Sequence, residues 1–239
     1  MRKGLVIIPT YNEAGNISEI IPKILTQSPE LDLLVIDDAS PDGTAEIVEK
    51  MRKDNPRIHL IQRPKKLGLG TAYVLGFKYA LERNYDYAIE MDADFSHSPD
   101  DLPRLIKELN DADLVIGSRY CQGVSVVNWP MKRLLLSFFA NLYARKFTGC
   151  PIHDLTAGFK AYKREALAGI NLDQIKSDGY GFQIEIDYYI WRKGFKVKEI
   201  PIIFVERRAG ISKMSKRIIY QAFFLVLRLF LKRLFGEDD

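Results

Sequence analysis

The ten residues YAIEMDADFS, at positions 87–96, decide the fold class of this 239-residue chain. They begin as a short, mostly apolar run and end with two carboxylates, Asp92 and Asp94, two residues apart. A short apolar run bounded by turn residues is typical of a strand buried in a parallel sheet. Ligands bind such sheets outside the carboxyl ends of the strands. The stretch therefore predicts a strand that carries two carboxylates to a binding edge.

The same pattern extends outward, from residue 4 to about residue 118. Short apolar runs alternate with segments of helical periodicity, as in a parallel sheet with crossover helices. The predicted strands are residues 5–8, 33–36, 58–61, 87–91 and 114–116, and the predicted helices lie near 16–27, 43–54, 69–83 and 100–110. Because no repeat or Pro/Gly/Ser-rich linker divides the chain, we expect one α/β domain over residues 1–211 and a C-terminal helix over 212–239.

The charge balance limits the kinds of partner. Lys and Arg number 35 and Asp and Glu 31, a net charge of +4. Up to residue 205 there are 27 basic and 27 acidic side chains, so the excess, 8 against 4, lies in the tail. A nucleic-acid-binding domain carries a basic stripe on its folded surface. We therefore expect no nucleic-acid partner, and we attribute the basic tail to a membrane surface.

Cysteine content and the N-terminus suggest a protein that stays in a reducing compartment. Cys121 and Cys150 do not form a CxxC pair and are too few for a disulfide framework. Four apolar residues precede Pro9, which is too short a run for a signal peptide.

Two other predicted strands also end in polar residues. Thr10 and Glu13 follow the first strand, and Asp37 and Asp38 follow the second. A residue such as Asp42 can cap the next helix, but capping does not require both Asp37 and Asp38. A carboxylate at this edge can accept hydrogen bonds from a ribose or a base. Three strands therefore bring polar groups to one edge.

A dinucleotide cofactor site is excluded. Gly68 and Gly70 lack the third glycine of the dinucleotide fingerprint and follow the wrong strand.

Residues 132–147 predict a helix with a polar stripe among Leu and Phe residues. The stripe consists of Arg133, Ser137, Asn141 and Arg145. Two interpretations stay open: a helix packed in the core with its polar stripe in water, or a helix that lies against lipid.

The tail, residues 212–235, has six basic residues and no acidic one. Its longest uncharged stretch is ten residues, whereas a membrane span takes about twenty. On a helical wheel one polar side lies opposite an apolar side. The polar side has Arg217, Gln221, Arg228 and Lys232, and the apolar side Phe223, Val226 and Phe230. The pattern favours an interfacial amphipathic helix, with packing on its own domain or on a partner helix as the alternative.

Five motifs, in this order, resemble those of family 2 glycosyltransferases of GT-A fold. They are PTYNE at 9–13, DDASPDGT at 37–44, GLG at 68–70, DAD at 92–94 and GSRY at 117–120. Within that family, DLTAGF at 154–159, FVER at 204–207 and GISK at 210–213 resemble the polyprenol (dolichol) phosphate mannose synthases. The resemblance covers residue 4 to about residue 215. It implies inverting transfer of mannose from GDP-mannose to a polyprenyl phosphate, with Mg²⁺ or Mn²⁺, at the cytoplasmic face of a membrane.

The resemblance also implies the role of each matching residue. Pro9, Tyr11, Glu13, Ile36 and Asp38 match nucleotide-binding positions, and Asp92, Ala93 and Asp94 match the diphosphate and metal site, with Asp94 the principal metal ligand. Arg119, Arg133 and Ser137 match groups that face the acceptor phosphate, and Arg207 and Lys213 match cations that close over both phosphates.

Two features depart from the family pattern. Several relatives have Gln two residues after the second Asp, where this chain has Ser96; the metal ligand there is Ser96 or a water in its place. Some relatives continue into transmembrane helices, which this sequence lacks. The tail or a small anchoring subunit would then hold the enzyme at the membrane.

The implied reaction needs charge neutralisation rather than a general base. A phosphate monoester has a second pKa of about 6, so the acceptor is largely a dianion. Two like charges 4 Å apart repel by about 4 kcal/mol at an effective dielectric of 20. We expect the metal and Arg119, Arg133, Arg207 and Lys213 to cancel this repulsion. His153 precedes Asp154 and points to the opposite face, so we expect it to be structural.

Two alternatives remain open. One is a polyprenyl phosphate glucosyltransferase that uses UDP-glucose, because its diphosphate site would look the same. The other is a non-catalytic, membrane-docked paralogue that binds a nucleotide sugar. A sugar-1-phosphate nucleotidylyltransferase is excluded because the first strand leads into PTYNE instead of a glycine-rich segment.

Overall fold

The computed structural model describes residues 2–206 and 216–236, without the side chains of 216–218. The strands are β1 (Gly4–Thr10), β2 (Leu31–Asp37), β3 (Ile58–Gln62), β4 (Tyr87–Glu90), β5 (Leu114–Ser118), β6 (Val126–Val127), β7 (Lys160–Lys163), β8 (Val197–Pro201) and β9 (Phe204–Val205). The helices are α1 (Ala14–Leu25), α2 (Thr44–Asp54), α3 (Leu69–Glu82), α4 (Leu102–Glu108), α5 (Met131–Thr148), α6 (Arg164–Ala168), α7 (Gly179–Arg192) and α8 (Lys216–Phe235).

Seven strands form the central sheet in the order β3-β2-β1-β4-β7-β5-β8. Every neighbouring pair is parallel except the two pairs that β7 makes with β4 and β5. The mostly parallel α/β sheet is therefore confirmed, with all five predicted strands in it. Strand order reverses beside β1, between β2 and β4, and such a reversal opens a crevice at the carboxyl edge.

Helices cover both faces of the sheet because side chains alternate along each strand. Val6 and Ile8 of β1 pack with α1, α2 and α4 in one buried cluster. Leu5 and Ile7 point to the other face, where α3, α6 and α7 contribute to a second cluster. Burial of both faces explains why β1 is a nearly continuous apolar run.

Strand β7 carries a charge into the core. Lys160 is fully buried, and its ammonium group lies 2.9 Å from both carboxylate oxygens of Asp187 on α7. It also donates to the side-chain oxygen of Gln183 at 2.6 Å. Burial raises the pKa of Asp187 to about 7, although Lys160 acts in the opposite direction. This ion pair ties α7 to the centre of the sheet.

The orientation of helix α5 contradicts one of the two interpretations of its polar stripe. Asn141 in its polar stripe is buried and donates to Thr156 at 3.0 Å, while Arg133 and Ser137 are half-buried. Its apolar residues point outward: Met131, Leu135, Leu136, Phe138, Phe139 and Leu142 are exposed. The prediction of a core-packed helix with a wet polar stripe is therefore wrong, although Arg145 is exposed.

Helix α8 packs on the protein with part of its apolar side. Leu225, Val226 and Leu229 are buried, so this part of the apolar side packs on the domain, as in the alternative interpretation. Arg228 pairs with the buried Glu185 of α7 at 2.5 Å. Tyr220, Phe223, Phe224, Leu231, Leu234 and Phe235 remain exposed. Residue 211 lies outside the described residues, and the division into domains stays a prediction.

Within the described ranges, none of the helices combines the length and the apolar character that crossing a bilayer requires.

We predict that Lys160→Met destabilises the protein by about 3–5 kcal/mol, because it leaves the Asp187 carboxylate buried without its cation. The matched control is Lys163→Met on the same strand, whose pair with Asp113 is partly exposed and is worth roughly 0.2–1 kcal/mol. Urea unfolding of both variants measures the difference. Equal losses of stability would contradict a structural role for the buried pair.

Candidate active site

A cleft of about 350 Å³ lies at the carboxyl ends of β1, β2 and β4. Ten predicted site residues line it: Pro9, Tyr11, Glu13, Asp38, Asp92, Ala93, Asp94, Ser96, Arg119 and Arg133. Two others do not. Ile36 is fully buried in the core, so a nucleotide contact there would have to come from its backbone. Ser137 accepts a hydrogen bond from the Tyr120 hydroxyl at 2.8 Å. Arg207 and Lys213 lie outside the described residues.

Each of the three polar strand ends turns through a left-handed residue. Asn12 follows β1 with φ 63°, Ala39 follows β2 with φ 53°, and Phe95 follows β4 with φ 61°. This conformation is unfavourable for residues with a Cβ, costing roughly 1–3 kcal/mol. The surrounding packing holds the strain, and the turns direct polar side chains back towards the cleft.

The turn after β4 orients its carboxylates. Asp94 and Ser96 are buried, and both the backbone N–H and the hydroxyl of Ser96 donate to Asp94 Oδ1, at 3.1 and 2.6 Å. Ser96 therefore positions the Asp94 carboxylate, and the metal ligand at this position, Ser96 itself or a water in its place, stays a prediction.

The donor set at this turn fits a hard divalent cation. Among the described residues, no group of three or more His, Cys, Asp or Glu side chains is arranged to hold a metal. Mg²⁺ typically binds proteins through one or two carboxylates and takes its other ligands from substrate phosphates and water. Asp92 and Asp94 are sufficient in number for that kind of site.

The acid pair after β2 holds a neighbouring loop. Asp38 forms an ion pair with the buried Arg63 and accepts a hydrogen bond from the Leu67 N–H at 3.0 Å. The loop between these two residues carries Lys66 into the cleft, where its ammonium lies 4.2 Å from the Tyr11 ring centroid. Asp37 instead bonds Thr10 and Ser40.

Arg119 forms a buried ion pair. Its Nε and Nη2 donate to the two oxygens of Asp154 at 2.7 and 2.6 Å, and Nη2 also donates to Thr156. Asp154 is fully buried and Arg119 is 5% exposed. Burial disfavours the charged form of both groups, but their mutual attraction outweighs this effect. Asp154 raises the pKa of Arg119, and Arg119 lowers the pKa of Asp154.

Arg133 is paired as well. It contacts the Glu206 carboxylate, and its guanidinium lies 4.1 Å from the Trp129 ring centroid. The sequence predicts Arg119 and Arg133 as cations that cancel phosphate repulsion, and the structure gives each of them a carboxylate partner. Both arginines reach the cleft with a carboxylate partner already bound.

Sequence reasoning missed several residues of the cleft. They are His97, Asp178, Gly179, Tyr180, Gln183 and Phe204, and Lys66 already described. Burial lowers the pKa of His97 to about 4. None of these residues lies in a motif of charged pairs that would have marked it in the sequence. Lys66 alone has a usable signal, because it follows β3 just as polar residues follow the neighbouring strands. His153 lies outside this lining and contacts Glu199 at 2.8 Å, as expected of a structural residue.

The fold first identifies the class of protein. The chain is similar to glucosyl-3-phosphoglycerate synthase from Mycobacterium tuberculosis solved with Mn²⁺, UDP-glucose and phosphoglyceric acid, with a TM-score of 0.69 and 21% identity over 100% of this chain and 81% of that chain. The same enzyme solved with Mg²⁺ and UDP gives a TM-score of 0.68 at 20% identity, with the same coverage. These likenesses show a GT-A-like fold.

The sequence then identifies the family. The model described as Glycosyl transferase family 2 matches residues 5–170. Undecaprenyl-phosphate mannosyltransferase of Micrococcus luteus is 46% identical over 94% of this chain and 92% of its own length. Polyprenol monophosphomannose synthase of Mycolicibacterium smegmatis is 47% identical over 94% of this chain and 86% of its own length. The chain belongs to glycosyl transferase family 2, which confirms the resemblance, and it is a glycosyltransferase.

We predict that Arg119→Ala lowers the free energy of unfolding by about 3–5 kcal/mol, because Asp154 is left buried and unpaired. The double variant Arg119→Ala/Asp154→Ala is expected to be more stable than the single one, since removing both partners leaves no uncompensated charge. Denaturant unfolding measures both. The control is Arg52→Ala, whose pair with Glu49 is exposed and contributes at most about 1 kcal/mol.

Proposed function

We propose that the protein transfers mannose, with inversion, from GDP-mannose to the phosphate of a polyprenyl phosphate. The observation that carries this proposal is the position of α5. One side of the helix places Arg133 in the cleft, and the other side exposes Phe138 and Phe139. A lipid whose phosphate enters the cleft would keep its chain beside that apolar side. The names of the two curated relatives support both mannose and a polyprenyl acceptor.

The donor side consists of the three strand ends. Pro9, Tyr11, Glu13 and Asp38 line the part of the cleft that we assign to the nucleoside. Asp92 and Asp94 would hold Mg²⁺ or Mn²⁺, which supplies charge neutralisation for the leaving diphosphate when it is bound. Ser96 keeps the Asp94 carboxylate oriented for this task.

The acceptor side provides oriented donors rather than a base. Because the acceptor phosphate is largely a dianion near neutral pH, it attacks without losing a proton to the protein. Nε and Nη2 of Arg119 are directed to Asp154 and Thr156. A guanidinium group has five N–H donors, so Nη1 retains two for an acceptor oxygen. Arg207 and Lys213 retain their predicted role over the phosphates.

The apolar residues that α5 and α8 expose form a surface that we assign to the membrane. Tyr143 of α5 stacks on Phe223 of α8, with ring centroids 5.1 Å apart, so the two helices lie side by side. Exposed cations, Arg145 and Lys146 on α5, accompany these apolar residues. Apolar contact combined with basic charge suits an anionic lipid interface. An anchoring subunit would have to cover the same surface.

We expect purified protein with Mn²⁺ or Mg²⁺ to transfer label from GDP-mannose to a short-chain polyprenyl phosphate, and excess chelator to stop the transfer. Asp94→Asn should reduce transfer by about a hundredfold or more, because it removes one charge from the metal site. Extraction of lipid-soluble label measures the product. Label from UDP-glucose alone would identify the glucosyltransferase instead, and no lipid-soluble label from either donor would favour a non-catalytic binding protein.

We expect full-length protein alone to float with anionic liposomes. Phe139→Asp/Phe224→Asp changes two exposed residues and should weaken flotation about tenfold or more through lost apolar contact. Lys53→Glu on α2 changes the net charge by the same two units at an exposed site and is the control. Equal effects of the two changes would rule out this surface, and flotation only with a second protein would favour the anchoring subunit.

A further inference from the structure

Gly158 has no side chain, which leaves a small gap in the wall of the cleft. A Cβ atom at this position would lie 3.8 Å from Asp92 Oδ2, 3.9 Å from Gln183 Nε2 and 3.9 Å from His97 Cε1. These three residues and Gly158 all line the cleft. Asp92 and His97 lie in the segment after β4, Gln183 lies on helix α7, and Gly158 lies just before β7. The segment and the helix therefore bring polar side chains to one point.

His97 has hydrogen-bonding capacity that the described residues do not use. It is 2% exposed, and its buried Nδ1 has no partner among them. The ring stacks on Phe159 at 5.1 Å and meets Phe204 edge-on at 5.2 Å, so its orientation is fixed. Cε1, the His97 atom nearest to the Gly158 position, is bonded to both ring nitrogens. A buried polar atom without a partner is costly, and a ligand hydroxyl would supply the missing bond.

The amide of Gln183 is held from behind. Its oxygen accepts from Lys160 at 2.6 Å, and its Nε2 donates to Glu90 at 2.6 Å. Because one end of the amide faces an ammonium and the other a carboxyl group, the amide cannot flip without losing both bonds. Nε2 has two hydrogens, and the second one is left for the space in front of Gly158.

The charges around this space select a neutral ligand group. Asp92 borders the space, and the carboxyl groups of Glu90 and Asp187 are buried behind it. The hydrogen bonds of Lys160 go to Gln183 and Asp187. These carboxylates would repel a phosphate, except where the divalent cation proposed at Asp92 and Asp94 binds it. A sugar hydroxyl can donate to Asp92 and accept from Gln183, so a polyol is favoured.

We propose that Asp92, His97 and Gln183, arranged around Gly158, bind hydroxyl groups of the transferred hexose, and that His97 and Gln183 help to determine which hexose is accepted. We call this set the Gly158 subsite. The proposal rests on the function proposed above, because it concerns the sugar of the same donor.

The first test fills the subsite. Gly158→Ala places a methyl group at ordinary van der Waals distance from the three side chains, so the fold should tolerate it. We expect affinity for GDP to change less than about twofold, while the gain in affinity from GDP to GDP-mannose and the kcat/KM of transfer fall about tenfold or more. Gly15→Ala, where an added methyl meets no atom within 4 Å, is the control and should leave all three quantities unchanged.

The second test removes only the nitrogens of His97. His97→Phe keeps a ring between Phe159 and Phe204, and we expect it to lower kcat/KM for GDP-mannose about tenfold. Donors that lack a single hydroxyl then identify the contact. For the wild-type protein, one deoxy donor should have a kcat/KM about tenfold lower than that of GDP-mannose. For His97→Phe, the same deoxy donor and GDP-mannose should have equal kcat/KM values. If the His97 ring had a purely structural role, the substitution would lower kcat/KM for every donor by the same factor.

These experiments separate the subsite from the proposed function. Calorimetric titrations with GDP, GDP-mannose, UDP and UDP-glucose measure the contribution of the sugar to binding, with or without turnover. If no hexose is transferred from either donor, the proposed function fails, and the titrations still decide on the subsite. If both variants bind the nucleotide and its sugar form with the wild-type ratio, or lose affinity for both equally, the subsite proposal is overturned.

Discussion

Pairing of buried charges is the constraint on which the rest of the structure depends. Lys160, Asp187, Glu90 and Asp154 are fully buried, and Arg119 is nearly so. A charge in a protein interior is tolerated only when a partner and hydrogen bonds compensate it. Lys160 therefore fixes α7 to the sheet through Asp187, and Arg119 fixes the loop that contains Asp154 beside β5. Ion pairs hold the walls of the cleft together, and removing one partner of such a pair leaves the other charge buried and uncompensated.

The same constraint explains why α5 is turned as it is. Asn141 and Thr156 bond each other and belong to the network that ends at Arg119 and Asp154. Satisfying these polar groups requires the polar stripe of α5 to face the protein. The Leu and Phe residues of the helix must then face outward. An amphipathic helix that exposes its apolar side gains nothing in water, so a lipid or protein partner is needed to account for that surface.

Local sequence signals predicted the strands and the polar edge, but not the contacts between distant residues. Strands β1 to β5 are apolar runs that a short window detects. Strand β7 has the sequence KAYK, and nothing local indicates that Lys160 is buried, because its partner Asp187 lies 27 residues away. Arg119 and Asp154 are 35 residues apart, and Arg133 and Glu206 are 73 apart. Arg119 and Arg133 line the cleft, yet their carboxylate partners could be found only in the fold.

The paired arginines change how the site would bring two polyanions together. An Arg–Asp pair has no net charge, so Arg119 does little to cancel repulsion at a distance. Its guanidinium lies 5.4 to 5.6 Å from the ring centroids of Tyr120, Trp129 and Phe204. In this surrounding of low polarity, N–H donors that are already oriented interact strongly at short range and need no reorganisation when phosphate arrives. In the proposed site, the divalent cation that Asp92 and Asp94 would hold acts at short range too, through direct contact with the oxygens of the leaving diphosphate. Arg119 would orient the acceptor phosphate for attack, and the cation would stabilise the negative charge that develops on the leaving diphosphate.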